Sequence, residues 1–116
     1  MTYGRGVDNT AVVAAFNDRI NARDLDGLTA LMTDDHTFVD DAGAAVTGRP
    51  ACAEAWAGFF AAFPDYRNVF ETMTAEGATV RVTGYSVCAT PDLAGPAVWA
   101  ATVRDGKVSR WQVTGA

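Results

Sequence analysis

The sequence predicts an α+β domain, because the spacing of its apolar residues changes part-way along the chain. Before Pro64 they recur with the 3.6-residue period of helices, and from Arg67 onward they alternate with polar residues, as in strands. Helices followed by a run of antiparallel strands are typical of the α+β order and not of alternating βαβ units. The 116 residues suffice for one domain, which we place at 9–116 after a flexible arm at 1–8.

Three helices are predicted in the first half of the chain. The first follows an N-cap signal at Asn9-Thr10, and its apolar face comprises Val12, Val13, Phe16 and Ile20. Asn17 is predicted to point away from that face. A short second helix is predicted at 25–32. The third lies between Gly48 and Pro64, and its apolar face comprises Trp56, Phe59, Phe60 and Phe63.

Strands account for most of the remaining chain. Within DDHTFVDDAG, residues 34–43, the β-branched and aromatic run 37–39 favours a strand, and a loop holding Asp34 and Asp35 precedes it. A short return strand is expected after the turn, and longer strands are predicted at 67–75, 78–90, 97–104 and 107–113. The dipeptide Asp105-Gly106 between the last two strands is typical of a tight hairpin turn.

Composition argues against several classes of partner. The net charge is −5 and the nine basic residues are scattered, which argues against binding to nucleic acid or to an anionic membrane surface. No apolar run approaches the about 20 residues of a spanning helix, and the N-terminus lacks an apolar signal core, so a cytoplasmic protein is expected. Cys52 and Cys88 form neither a zinc nor a redox pattern and are expected to be small buried thiols. No metal or cofactor is expected, and the residue usage is typical of a high-GC bacterium.

Three stretches of the chain resemble one family. The stretch AVVAAFNDRINARDLDGLTALMTDDHTFVDDAG is similar to the opening of bacterial ketosteroid isomerases and SnoaL-like cyclases, and FFAAFPD and DGKVSRW resemble the same branch. The chain therefore resembles the SnoaL-like branch of the nuclear transport factor 2-like superfamily over roughly 10–113. The resemblance implies a cone-shaped α+β barrel, in which a curved, antiparallel or mixed sheet wraps around helices and encloses a pocket. It also implies a homodimer formed through the outer face of the sheet.

Asp40 is the candidate catalytic residue. Alternate side chains of a strand share a face, so Asp40 and Phe38 point to the same side as His36, whereas Thr37 and Asp41 point to the other. Phe38 requires burial, which places Asp40 on the inner face. The resemblance puts Asp40 at the position of the general base of the ketosteroid isomerases. A carboxylate against aromatic walls is poorly solvated, which makes it a better proton acceptor.

His36 is expected at the rim of the pocket. Four residues of strand separate it from Asp40 by about 13 Å, which excludes a direct pair between the two side chains. It is therefore predicted to be solvated or hydrogen-bonded to Asp34 or Asp35, as a second polar group at the strand mouth.

An aromatic-lined pocket is predicted for a hydrophobic small molecule. The residues predicted to bind this molecule are Phe16, Phe38, Trp56, Phe60, Tyr85, Trp99, Trp111 and His36. Simple core packing is the alternative for each of these rings, and Tyr85 could instead lie at the dimer face. By the resemblance, Phe16 and Trp99 occupy the positions at which the isomerases carry the two oxyanion donors.

Three functions stay open at this point. The first is an isomerase, cyclase or related lyase or hydrolase that uses Asp40 as general acid or base without a cofactor. The second is a non-catalytic ligand-binding or accessory dimer, which the two missing oxyanion donors favour. The third is a structural partner module whose pocket is filled as core. Because this superfamily hosts many activities, fold alone does not select among them.

Overall fold

The computed structural model describes residues 8–114. In chain order its elements are α1 (Asn9–Ala22), α2 (Leu25–Ala30), β1 (Met32–Val39), β2 (Ala45–Thr47), α3 (Arg49–Ala62), β3 (Arg67–Glu76), β4 (Thr79–Val87), a 3₁₀ turn (Pro91–Leu93), β5 (Gly95–Arg104) and β6 (Lys107–Val113). The predicted helix–strand order is therefore confirmed. The predicted arm at 1–8 lies outside the described residues except for Asp8.

The six strands form one mixed sheet in the order β2-β1-β6-β5-β4-β3. Strands β1 and β6 are parallel, and every other neighbouring pair is antiparallel. The α+β class is confirmed, but the sheet does not close into the predicted barrel. Its edges are β2, with only three residues, and β3, and these two strands do not pair with each other.

The N-cap of α1 lies one residue before the predicted cap. The carboxylate of Asp8 accepts a hydrogen bond from the backbone N–H of Thr10 at 3.0 Å, so Asp8 is the N-cap and Asn9 is already helical. The Asn9-Thr10 cap is therefore wrong. The apolar face is confirmed, since Val13, Phe16 and Ile20 are fully buried.

Strand β1 begins at Met32, five residues before its predicted start. Helix α2 ends at Ala30, and pairing with β6 recruits the next residues into the strand. Met32 pairs with Val108 and Thr37 with Arg110, so β1 contains a bulge between these two pairs. The loop predicted for Asp34 and Asp35 is thus part of the strand.

The bulge turns two exposed carboxylates towards arginines. Asp34 Oδ1 lies 2.8 Å from Arg49 Nη2, and Asp35 Oδ2 accepts a hydrogen bond from Arg104 Nη1 at 3.2 Å. The hydrogen bond from Arg104 lowers the pKa of Asp35 to about 2. Asp34 and Asp35 therefore form ion pairs on the protein surface and do not face the interior.

The hairpin between β5 and β6 matches its prediction. Asp105 and Gly106 have φ angles of 55° and 75°, the left-handed region that such a turn requires and that a glycine adopts without strain.

One cluster of buried side chains joins the helices to the inner face of β4, β5 and β6. Along β4 the buried residues Val80, Val82 and Ser86 alternate with exposed ones, among them Tyr85 and Val87. The outer face of this part of the sheet is therefore open. No helix within the described residues is long and apolar enough to cross a bilayer.

The two cysteines differ in environment. Cys52 is fully buried and its thiol lies 3.3 Å from the carbonyl oxygen of Val46, as expected for a small core residue. Cys88 is only half-buried, because it follows the end of β4 and lies beside Asp65. The burial predicted for Cys88 is therefore wrong.

Candidate active site

A cavity of about 420 Å³ lies at one end of the sheet. Here β1, β4 and β6 end and β3 and β5 begin, so that five strands contribute to its walls. Helix α3 covers one side, and the 3₁₀ turn contributes to the rim. The aromatic part of the lining is formed by Phe38, Trp56, Phe59, Tyr66, Trp99 and Trp111.

Asp40 lies in the wall of this cavity, directly after β1. Its Oδ1 accepts hydrogen bonds from the backbone N–H groups of Ala42 and Ala44, each at 2.9 Å. The N–H of Gly43 donates to the Asp40 carbonyl at 3.0 Å, so the residue also closes the β1–β2 turn. Within residues 8–114, no group donates a hydrogen bond to Oδ2. The turn therefore orients the carboxylate through one oxygen and leaves the other unengaged.

Two further carboxylates, Asp41 and Asp92, line the cavity and are exposed. Asp41 was expected on the opposite face from Asp40, which is wrong because β1 ends at Val39 and the turn redirects the next side chains. Asp92 belongs to the 3₁₀ turn and follows no strand period, so alternation could not place it.

Half of the predicted pocket residues line the cavity: Phe38, Trp56, Trp99 and Trp111. Phe16 and Phe60 lie behind this lining, with ring centroids 4.8 Å from Trp111 and 5.6 Å from Trp56 respectively. The structure does not bring Tyr85 to the cavity, because the alternation of β4 places its side chain on the outer face.

His36 does not lie at the rim, and that prediction is wrong. Its side chain is fully buried, with Nδ1 at 2.6 Å from the carbonyl oxygen of Val108 and the ring 5.7 Å from Phe16. A carbonyl only accepts, so Nδ1 carries the proton and Nε2 presents a lone pair. Nε2 has no hydrogen-bond partner within the described part of the chain. His36 is buried because its inner face of β1 is covered at this point by Phe16 of α1 and by β6.

Burial lowers the pKa of His36 below its ordinary value of 6.5, and the hydrogen bond to Val108 and the charge of Asp35 offset part of this effect. The contribution of neutral His36 to the free energy of unfolding is therefore expected to be fully present above pH about 6.5. It should be lost as the pH falls from there through the lower pKa of the folded state, because the unfolded chain binds the proton more readily. Urea unfolding between pH 7.5 and 5.0 measures this slope. Asp35 stays charged throughout, since its pKa is about 2.

His36→Asn is the matched variant, because its amide nitrogen can replace Nδ1 as the donor to Val108. The chain contains one histidine, so this variant should remove the histidine-dependent part of the slope below pH about 6.5. Equal slopes in the two proteins would contradict a buried neutral His36.

A polar cluster that sequence reasoning missed also lines the cavity. The hydroxyls of Tyr66 and Ser86 are 3.1 Å apart, and Ser86 Oγ donates to Asn68 Oδ1 at 2.9 Å. Burial raises the pKa of Tyr66, and hydrogen bonds with Ser86 and Asn68 act in the opposite direction. We call these three residues the hydroxyl–amide cluster. Its members meet because Asn68 pairs with Ser86 across β3 and β4, a register that no local pattern reveals.

Two asparagines of α1 hold this cluster in place. The side chain of Asn21 accepts from the backbone N–H of Asn68 and donates to its carbonyl, both at 2.9 Å. Asn17 Nδ2 donates to the same carbonyl at 3.3 Å. Asn17 is 6% exposed, so its predicted outward direction is wrong. The spacing of four residues, which puts both amides on one helix face, was the available signal.

The fold and the cavity define a small α+β protein with an open mixed sheet and a cavity at one end of it. The chain belongs to the SnoaL-like domain family, whose model matches residues 13–111. The resemblance drawn from the sequence is thereby confirmed. A comparison with curated protein sequences gives no match.

Solved structures share this fold at low sequence identity. A proposed polyketide cyclase from Sinorhizobium meliloti is 20% identical with a TM-score of 0.81, covering 92% of this chain and 99% of the other. A proposed ketosteroid isomerase from Kribbella flavida is 21% identical with a TM-score of 0.77, covering 90% and 75%. TerC, crystallised with polyporic acid, is 20% identical with a TM-score of 0.80, covering 93% and 91%.

Proposed function

We propose that the chain is a cofactor-independent enzyme of the isomerase or cyclase type, acting on a hydrophobic small molecule in the cavity. The observation that carries the proposal is the state of Asp40, which has one oxygen held by Ala42 and Ala44 and the other unengaged in an aromatic-walled cavity. Such a carboxylate is fixed in direction and free to take a proton, as a general base requires.

The reaction begins with a substrate that carries a carbonyl group. Asp40 Oδ2 takes a proton from the carbon beside the carbonyl, and the electron pair of that C–H bond moves towards the carbonyl oxygen. Where a carbon–carbon double bond adjoins the deprotonated carbon, return of the proton from Asp40 to the far end of that double bond isomerises the substrate. Alternatively, the carbanion attacks a second carbonyl carbon and closes a ring, and the alkoxide formed there takes the proton back from Asp40. The two backbone N–H groups hold the carboxylate in a fixed direction throughout these steps.

The size and lining of the cavity support a ring-containing ligand. About 420 Å³ lies within the range of small-molecule sites. Trp56, Trp99 and Trp111 offer flat apolar surfaces. The co-crystal of the similar TerC with polyporic acid supports oxygen-bearing compounds of this kind.

The test uses 2-tetralone, a bicyclic ketone, as a probe for proton abstraction. The purified protein in D₂O should accelerate the exchange of hydrogen for deuterium beside the carbonyl, followed by NMR above the buffer rate. A protein that binds the ketone yet leaves the buffer rate unchanged, for 2-tetralone and for a series of larger ketones, would contradict the catalytic role.

A ligand-binding protein without catalysis is the second candidate. It is favoured by Phe16 and Trp99, which supply no oxygen-directed donor where the resemblance implies two, and by the turn-forming role of Asp40. This candidate predicts binding that is saturable, with no exchange of the bound ketone.

We also propose a homodimer that forms through the outer face of the sheet. Tyr85 and Val87 are 39% and 47% exposed there, which is unusual for large apolar side chains on neighbouring positions of one strand face. Sedimentation equilibrium should give twice the chain mass, and Val87→Lys should shift the protein towards the monomer. A protein that is still monomeric at about 100 µM would contradict a stable dimer.

A further inference from the structure

The hydroxyl–amide cluster has hydrogen-bonding capacity that the fold does not use. Ser86 has a single hydroxyl hydrogen, which goes to Asn68 Oδ1, so the hydrogen between Ser86 and Tyr66 is that of Tyr66. The Tyr66 oxygen keeps an unused lone pair. Asn68 Nδ2 has two hydrogens, of which Tyr66 can take one. No described residue takes the second. The cluster thus offers one acceptor and one donor side by side.

The cluster is rigid and faces the cavity. All three residues line it, yet Asn68 and Ser86 are only 2% and 7% exposed. The backbone of Asn68 is fixed by Asn21, and the ring of Tyr66 packs edge-on against Phe59 with centroids 4.8 Å apart. Buried polar groups that are fixed without a ligand lose little entropy when one binds.

We infer that this cluster is an anchor for a ligand hydroxyl at the end of the cavity remote from Asp40. A hydroxyl group matches the unused pair, since it can donate to the Tyr66 oxygen and accept from Asn68 Nδ2. An aliphatic or ether group cannot satisfy both partners, and a carbonyl satisfies only Asn68. The inference rests on the proposed function in taking the cavity as the ligand site.

The strand order gives the separation along the sheet between Asp40 and the hydroxyl–amide cluster, and from it the length of a ligand that reaches both. Asp40 follows β1 and Ser86 ends β4, with β6 and β5 between them. Three strand spacings amount to roughly 14 Å along the sheet. Trp111 of β6 and Trp99 of β5 lie in the interval and line the cavity. The ligand class is therefore a flat, apolar ring system with a hydroxyl group at the end opposite the carbon that Asp40 would deprotonate.

A matched pair of probes tests the anchor by binding alone. 2-Naphthol and 2-methylnaphthalene have nearly the same shape, and only the first carries a hydroxyl. Dissociation constants from ligand-observed NMR should favour 2-naphthol by about three- to tenfold, the range of one net hydrogen bond. Equal affinities for the two compounds would overturn the anchor.

Variants test whether the preference for 2-naphthol over 2-methylnaphthalene depends on the hydroxyl–amide cluster. Tyr66→Phe keeps the ring against Phe59 and removes the hydroxyl, so it should abolish most of the preference for 2-naphthol. Tyr85→Phe is the matched control on the outer face and should leave the preference unchanged. Ser86→Ala is a second variant that removes the orienting contact of Tyr66 and should also reduce the preference. An unchanged preference in Tyr66→Phe and Ser86→Ala would overturn the assignment.

The two proposals fail in different ways. Absence of binding for both probes overturns the anchor together with the proposed function. A hydroxyl preference that depends on Tyr66, in a protein that exchanges no ketone hydrogen, supports the anchor and contradicts catalysis. Ketone exchange without any hydroxyl preference supports catalysis and contradicts the anchor.

Discussion

Replacing Asp40 with asparagine is expected to lower the exchange rate of 2-tetralone by about 10²- to 10⁴-fold, the usual contribution of a positioned general base. The asparagine side-chain oxygen can accept the same two hydrogen bonds from Ala42 and Ala44, so the turn stays intact. An amide nitrogen then replaces the unengaged oxygen and cannot take a proton. NMR exchange rates measure the loss, and urea unfolding should show a stability close to that of the parent protein.

Asp41→Asn is the matched control for this experiment. Asp41 is the adjacent carboxylate, lines the same cavity and has equal formal charge, but it has no oriented hydrogen bonds from the turn. Its replacement should leave the exchange rate within about twofold, since the screened field of an exposed charge is weak. An equal loss in both variants would indicate a general effect of charge and contradict a specific base.

Asp40→Ala separates the two roles of the residue. This variant removes the proton acceptor and also both hydrogen bonds to the turn, so it should lose activity and about 1–3 kcal/mol of unfolding free energy. If Asp40→Asn keeps the parent exchange rate while Asp40→Ala is destabilised, Asp40 is a turn residue only.

Gly84→Ala is expected to destabilise the fold by about 1–3 kcal/mol or more, through a backbone clash in the sheet. A Cβ at this position would lie 2.0 Å from the carbonyl oxygen of Val69 and 3.2 Å from the N–H nitrogen of Glu71. These are backbone atoms of β3, where the register shifts between Phe70 and Thr72 opposite Gly84. They cannot move without loss of the β3–β4 pairing. Urea unfolding, with the slope checked for two-state behaviour, gives the free-energy change.

Gly58→Ala provides the control of the same chemical change. Gly58 lies within α3, and a Cβ there would meet no atom within 4 Å. Alanine should therefore stabilise the helix by about 0.5–1 kcal/mol, because the unfolded chain loses conformational freedom. A neutral or stabilising effect of Gly84→Ala would mean that β3 tolerates the displacement and that the close approach is not required.

The displacement of β3 in Gly84→Ala should also alter the cavity wall. Asn68 and Ser86 pair two residues further along the same two strands, so a shifted β3 would separate the members of the hydroxyl–amide cluster. A Gly84→Ala protein that still folds should therefore show a weaker preference for 2-naphthol than the parent.

Prediction from the sequence was successful where local spacing decides the outcome. The 3.6-residue period identified the buried face of α1, and alternation identified the face of β1 on which Phe38 lines the cavity. Asp40 follows the end of β1, so the turn and not alternation sets the direction of its side chain. Alternation also placed His36 correctly on the inner face with Phe38, but not its depth, because the contacts that bury it come from Phe16 of α1 and from Val108 of β6, which lies about 70 positions later. The helical period failed for Asn17, because its partner is the backbone of Asn68 in β3.

The sequence by itself determined the α+β class, the helix faces and the strand residues that surround Asp40, because each of these follows from the period of a short segment. Only the tertiary structure decided that the sheet stays open, that His36 is core and that Tyr66, Asn68 and Ser86 meet in one wall. These features depend on the register between strands that are distant in sequence. Register is selected by the packing of the whole core and leaves no periodic trace in any one segment.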